Sequence, residues 1–121
     1  MSSPKLVIVC GGRGYTNFDN VHDAIEKEAP TFIIQGGAKG ADKLARNVAD
    51  TLMIPHIEVP ALWGRPVVPK AGYDRNVLMA KILLKLAGDN EKFVMAFPGG
   101  KGTKMMVDIA TKMGIPVKFY D

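Results

Sequence analysis

Three stretches of this chain set glycine, a cation and a helix start side by side: Gly11-Gly12-Arg13-Gly14, Gly36-Gly37-Ala38-Lys39-Gly40-Ala41-Asp42 and Phe97-Pro98-Gly99-Gly100-Lys101-Gly102-Thr103. Glycine lacks a Cβ and reaches left-handed angles, so a ligand can lie against the backbone of such a turn. A helix opening directly behind it aims N–H groups at negative charge. Arg13, Lys39, Lys101 and Lys104 lie where phosphate or carboxylate would sit, and Thr103 is read as the N-cap of the helix that follows. Each turn taken alone fits equally well a tight connection whose glycines serve geometry; the repetition favours an anion site.

Each turn must be placed by a strand before it and a helix after it. Lys5 to Cys10, Thr31 to Gln35 and Lys92 to Phe97 are short apolar runs rich in β-branched residues, the pattern of strands buried on both faces. Pro55 to Pro60 is less apolar and proline-flanked, as suits an edge, and Val117 to Tyr120 supplies a fifth strand. Helices are expected after Asn17 or Asp19 up to about Ala29, behind the Gly36 to Asp42 turn with Leu44, Ala45, Val48, Ala49 and Leu52 on one face, from Tyr73 to Ala87 and from about Thr103 to Met113. The third carries Met79, Ile82, Leu83 and Leu86 as its apolar stripe, with Asp74, Arg75 and Asn76 in its first turn. Ala61 to Gly72 is the one extended irregular stretch; its Trp63 would either stack on a base or plug the loop onto the body.

Strands alternating with helices imply right-handed crossovers and a parallel sheet. The expected fold is therefore α/β: one Rossmann-like three-layer sandwich over residues 1–121, with about five parallel strands and helices on both faces. In such a sheet, loops leaving the carboxyl ends of the strands become neighbours. The three turns, joined by the Asp74-Arg75-Asn76 segment, would then line one crevice.

Composition narrows the function. With 121 residues, 47% of them hydrophobic, the chain can bury a core without staples, and no apolar run approaches membrane-spanning length. A cytoplasmic protein without a membrane partner is expected. Cys10 is the sole cysteine, which rules out an internal disulfide and fits a small core residue. His22 and His56 stand in no ligand frame, so no metal is expected. Asn17 replaces the third glycine of G-x-G-x-x-G, and Gly100-Lys101-Gly102-Thr103 lacks the ending of a P-loop, so no dinucleotide cofactor or ATPase chemistry is expected. The net charge of +4 suits a phosphorylated small molecule or nucleic acid, and its grouping at the turns favours the small molecule.

Taken together and in order, these four motifs resemble the SLOG superfamily of Rossmann-like nucleotide-binding domains, above all its small stand-alone YspA-like branch. The resemblance runs from the first strand to the last helix. It implies a ligand such as an ADP-ribose-like molecule, a cyclic nucleotide or a nucleoside phosphate, held at Gly12, Arg13, Gly14, Gly36, Gly37, Lys39, Gly40, Asp42, Arg75, Asn76 and the Pro98, Gly99, Gly100, Lys101, Gly102, Thr103 turn. It also implies a homodimer or higher homo-oligomer. The LOG phosphoribohydrolases of this superfamily carry a catalytic glutamate soon after the corresponding turn, with an arginine matching Arg75 at the ribose-phosphate. Here Lys104-Met105-Met106 follows instead, and the next acid, Asp108, falls on another side of the helix. Glycosidic hydrolysis needs a carboxylate; Asp42 or Asp74 are the candidates, each equally explained as a helix-start acid. The leading expectation is a sensor, carrier or sequestering protein. A nucleoside 5′-monophosphate N-ribohydrolase and a single-stranded nucleic-acid binder are the alternatives.

Overall fold

The computed structural model describes residues 3–61 and 70–121. The reading made for Trp63 lies outside these residues. Nine elements follow one another as β1 (Lys5–Cys10), α1 (Phe18–Glu28), β2 (Phe32–Gln35), α2 (Ala41–Leu52), β3 (His56–Glu58), α3 (Ala71–Ala87), β4 (Glu91–Ala96), α4 (Lys101–Lys112) and β5 (Val117–Phe119). The strands form a single parallel sheet in the order β3-β2-β1-β4-β5. β1 pairs with β4 along its whole length, from Lys5 opposite Glu91 to Cys10 opposite Ala96. Its chain then leaves for β2 on the other side, so the order reverses between β1 and β4.

Alternate residues of the central strands feed two cores. Val7, Val9, Ile33, Phe93 and Met95 pack beneath α1 and α2, whereas Leu6, Ile8, Ile34, Val94 and Ala96 pack beneath α3 and α4. A strand buried on both faces has no polar side to alternate with, which explains the unbroken apolar runs. Each buried Ile or Val contributes roughly 1.5–3 kcal/mol relative to exposure. Among the described residues, no helix is long and apolar enough to cross a membrane.

Two helices depart from the sequence reading. α3 starts at Ala71, ahead of the expected Tyr73, and Lys70 is its N-cap. Arg75 and Asn76 consequently stand beyond its first turn. Its buried face is Asn76, Met79, Ala80, Leu83 and Ala87, while Leu86 is exposed. Small residues at 80 and 87 let the helix approach the sheet, and a pattern weighted towards large apolar residues misses them. α4 starts at Lys101, with Gly100 and not Thr103 as N-cap, and no side chain caps it.

α1 is capped by Asn17, whose side-chain oxygen accepts from Asn20 N–H at 3.1 Å. α2 ends on Met53, which is left-handed at φ 58° with its side chain 89% exposed. A left-handed conformation costs a non-glycine residue about 1–2 kcal/mol, partly offset by the greater unfolded-state entropy of glycine. Met53→Gly is therefore expected to stabilise the fold by roughly 0.5–1 kcal/mol, read as a higher urea midpoint at unchanged slope.

Candidate functional site

The chain reversal between β1 and β4 opens a crevice at the carboxyl ends of these strands, the usual ligand position in an open α/β sheet. A cavity of about 440 Å³ occupies it. Cys10, Gly12 and Arg13 line it from the β1 end, Ala38 and Asp42 from the β2–α2 connection, Arg75 and Asn76 from α3, and Gly100 to Thr103 from the start of α4. Segments from the two ends of the chain, Cys10 and Thr103, thus meet, and the volume lies within the range of small-ligand sites.

The three glycine turns play different parts. Gly12 N–H donates to Pro98 O at 2.8 Å, and Gly12 O accepts from Ala41 N–H at 3.2 Å, so the first turn is the keystone between the other two. A Cβ on Gly99 would lie 2.6 Å from Gly12 N, and one on Gly40 2.1 Å from Gly12 O. These glycines permit backbone to pack on backbone. The Gly36–Gly40 turn is also closed from within: Asp42 Oδ2 accepts from Gly36 N–H at 3.1 Å and Ala38 N–H at 3.3 Å, and Gln35 Oε1 accepts from Gly37 N–H.

The third turn is the open one. Gly100 and Gly102 have nothing within 4 Å of the position a Cβ would take. The first amides of α4 have no side-chain cap, and the first helical bond accounted for there is Lys104 N–H to Gly100 O at 3.1 Å. Uncapped N–H groups over bare backbone, with Lys101 and Arg13 exposed on the same lining, form an anion cradle.

Arg75 and Asn76 tie this cradle to the second turn. Arg75 Nη1 donates to Gly36 O at 2.8 Å and its Nε to Asn76 Oδ1 at 2.9 Å. Asn76 Nδ2 in turn reaches Gly102 O at 3.5 Å. These bonds orient the guanidinium and use two of its five donors. Burial pushes the Asp42 carboxyl up to about 6, against the pull of the Ala38 N–H, the Arg75 charge and the Gly36 N–H, with the Glu58 charge adding to the rise. Burial, followed by the Asp42 charge, pushes the Cys10 thiol up to about 12, which keeps it protonated and unreactive.

Of the residues singled out from the sequence, Gly12, Arg13, Asp42, Arg75, Asn76, Gly100, Lys101, Gly102 and Thr103 come together on this lining. Gly14, Gly36, Gly37, Lys39, Gly40, Asp74, Pro98 and Gly99 do not line it. Asp74 and Lys39 are exposed, and Asp42 is the lone carboxylate on the lining among the described residues. Met105 and Met106, which follow the third turn in place of an acid, line the cavity, whereas Asp108 is exposed on a different flank of α4. Sequence reasoning missed Gln35, fully buried at the end of β2, which donates to Glu58 Oε1 at 3.2 Å and holds the second turn. Its signal was a polar residue closing an apolar strand directly before Gly-Gly.

The model of the YspA, cpYpsA-related SLOG family matches residues 5–65, half of the chain. The chain belongs to that family. No protein of curated function matches it in sequence. Among solved structures, this SLOG protein is similar to TM1055, a structural-genomics target, with a TM-score of 0.65 and 18% identity over 93% of this chain and 72% of that one. It is also similar to DNA processing protein A (DprA) from Streptococcus pneumoniae, with a TM-score of 0.57 and 19% identity over 96% of this chain. The SLOG chain spans 58% of the DprA chain. At such identities the likeness is one of fold: five parallel strands in one sheet with four helices.

Proposed function

We propose that this SLOG protein binds a nucleotide-derived phosphate ligand in the crevice between β1 and β4, acting as a sensor, carrier or sequestering protein. The observation that carries the reading is the open cradle of Gly100 to Thr103, uncapped and flanked by Lys101, Arg13 and Arg75. Three cations facing one carboxylate favour an anion, and a cavity of about 440 Å³ has room for a nucleoside beside the phosphate. Met79, Met105 and Met106 supply an apolar wall against which a base or ribose would pack.

Calorimetric titration with nucleoside monophosphates, cyclic nucleotides, ADP-ribose and NAD tests the reading. At least one is expected to bind tighter than millimolar; a silent panel would reject the proposal. Lys101→Ala is expected to weaken that binding roughly tenfold to a hundredfold, the worth of a charge-assisted hydrogen bond of about 1.5–3 kcal/mol. Lys81→Ala and Lys85→Ala, on the exposed side of α3, are expected to leave it unchanged. A loss spread evenly over all three lysines, falling steeply with salt, would instead indicate single-stranded nucleic acid.

Asp42 gives the hydrolase reading its one supporting feature, a carboxyl titrating near 6 inside the cavity. Its Oδ2 is nonetheless engaged by Gly36 and Ala38. Free base released from a nucleoside monophosphate, and lost in Asp42→Asn, would turn the binder into an N-ribohydrolase.

A further inference from the structure

Among the described residues, three polar side chains are buried, Gln35, Asp42 and Asn76, and all three brace the second glycine turn or tie it to the third. A buried polar group is costly unless it is bonded, so three in one chain of contacts mark a built feature. Its centre is the peptide between Gly36 and Gly37.

Three successive peptides cross this turn. The N–H groups of Gly36 and Ala38, on the outer two, both donate to Asp42 Oδ2, at 3.1 and 3.3 Å. The middle peptide has partners of its own: its N–H, on Gly37, donates to Gln35 Oε1, and its oxygen, on Gly36, accepts from Arg75 Nη1 at 2.8 Å. Glycine flanks it on both sides, and Gly37 has φ 75°. With no Cβ on either neighbour the peptide plane turns against little steric resistance, so the partners at its two ends decide where its oxygen points. A Cβ on Gly36 would meet Arg75 Nη1, and one on Gly37 would lie 2.6 Å from the Glu58 carboxyl carbon. The bare peptide is thus sandwiched between the guanidinium and the carboxylate.

Gln35 and Arg75 reach the peptide from opposite sides. Gln35 continues the side of β2 that Ile33 turns towards α2, whereas Arg75 comes from α3, which packs on the other face. Glu58 fixes the amide itself. It stands opposite Gln35 in the pairing of β2 with β3, and its Oε1 accepts from Gln35 Nε2 at 3.2 Å. A carboxylate only accepts, so the amide turns its nitrogen to Glu58 and its oxygen to Gly37. We infer that Gln35 is a positioning residue for Arg75: anchored by Glu58, it holds the Gly36–Gly37 peptide so that Gly36 O aims the guanidinium into the crevice. Without it the peptide turns over, Gly36 O leaves Arg75, and the remaining donors lose their fixed direction. That Arg75 then meets a phosphate rests on the function proposed above.

The Nη signals of Arg75 in the nitrogen–proton spectrum of the full chain test this without a ligand. Separate Nη1 and Nη2 signals are expected in the wild type, since Gly36 O holds one of them. In Gln35→Met, which fills the buried position with a side chain of similar volume, guanidinium rotation is expected to be at least about tenfold faster, merging the signals. Titration with AMP, followed by amide chemical shifts, is expected to show Gln35→Met binding about tenfold weaker, and the same substitution changing affinity less than about twofold in an Arg75→Ala background. Glu58→Lys acts from the exposed rim: its ammonium only donates, which draws the Gln35 oxygen away from Gly37. Added positive charge alone would strengthen AMP binding, whereas this inversion is expected to weaken it about threefold or more, and only while Arg75 is present. Unchanged Arg75 signals in Gln35→Met, or an equal loss of AMP affinity with and without Arg75, overturns the inference and leaves the phosphate site standing. Should Gln35→Met fail to fold, Glu58→Lys decides, and tighter AMP binding by it refutes the positioning. A wild type that ignores AMP counts against the phosphate reading, and the Arg75 signals still decide whether Gln35 positions the guanidinium.

Discussion

Gly40→Ala is expected to destabilise the protein by about 3–5 kcal/mol, seen as a fall in melting temperature of roughly 10–20 °C. Gly40 has φ 80° and ψ −130°, a conformation open to glycine and strained for any L side chain. The added methyl would also lie 2.1 Å from Gly12 O and 2.7 Å from both the carbonyl carbon and oxygen of Arg13. Both neighbours are backbone, and Gly12 is itself held by Pro98 O and Ala41 N–H, so it has no rotamer to change. Relief therefore requires moving the β1 turn away from the other two. That is a large fraction of the 5–15 kcal/mol that stabilises a typical domain. Gly102→Ala is the matched contrast: nothing lies within 4 Å, the position is helical, and alanine is preferred there by about 1 kcal/mol. It is expected to melt slightly higher while placing a methyl on the lining of the anion cradle, so stability and ligand affinity move in opposite directions. A Gly40→Ala protein melting within about 2 °C of wild type would show that the turns are not locked as described.

This contrast marks the boundary of what the sequence disclosed. The strands were legible because β1, β2 and β4 are buried on both faces, which writes them as unbroken apolar runs. That the turns after them converge followed from parallel topology. Which glycines serve packing and which remain open was not legible, because Gly40 and Gly102 differ in what another segment places above them. Gln35 was passed over for a similar reason: its partner Glu58 lies across the sheet on β3, and Gly37 N–H reaches it only once the turn has formed. The face of α3 was misjudged where Asn76 and Ala80 turn inward and Leu86 does not, whereas Ile82 packs against the core as expected. A buried asparagine is tolerable there because Arg75 donates to its oxygen and Gly102 O accepts from its amide. The pair that most disturbs the hydrophobic pattern of the helix is thus the pair that braces the site.

Asp42→Asn is expected to make the protein more stable at neutral pH and to flatten its dependence on pH. Burial lifts the Asp42 carboxyl from 3.8 to about 6, overcoming the Ala38 N–H, the Arg75 charge and the Gly36 N–H. The folded chain therefore holds this proton more tightly than the unfolded chain, and stability falls as pH rises from about 4 through 6. A shift of this size corresponds to a penalty on the order of 2–3 kcal/mol for the ionised form at pH 7, of which about 1 kcal/mol is recovered at pH 5. Asparagine keeps an oxygen to accept from Gly36 and Ala38 and carries no charge to desolvate. Glu28, whose carboxyl is held low by the Tyr120 hydroxyl and by Lys118 despite its burial, contributes stability that is lost as pH falls, the opposite sign. The difference between wild type and Asp42→Asn, measured by urea unfolding at pH 5 and pH 7, isolates Asp42 from Glu28. Parallel pH profiles, or an asparagine variant less stable at pH 7, would refute the assignment. A carboxylate that destabilises its own fold while lining a cationic cavity also opposes the anion proposed to bind there. Affinity for a phosphodiester ligand such as a cyclic nucleotide, whose own charge is constant over this range, is accordingly expected to rise from pH 7 to pH 5 in the wild type, as Asp42 takes up its proton. In Asp42→Asn that affinity should be high at both pH values.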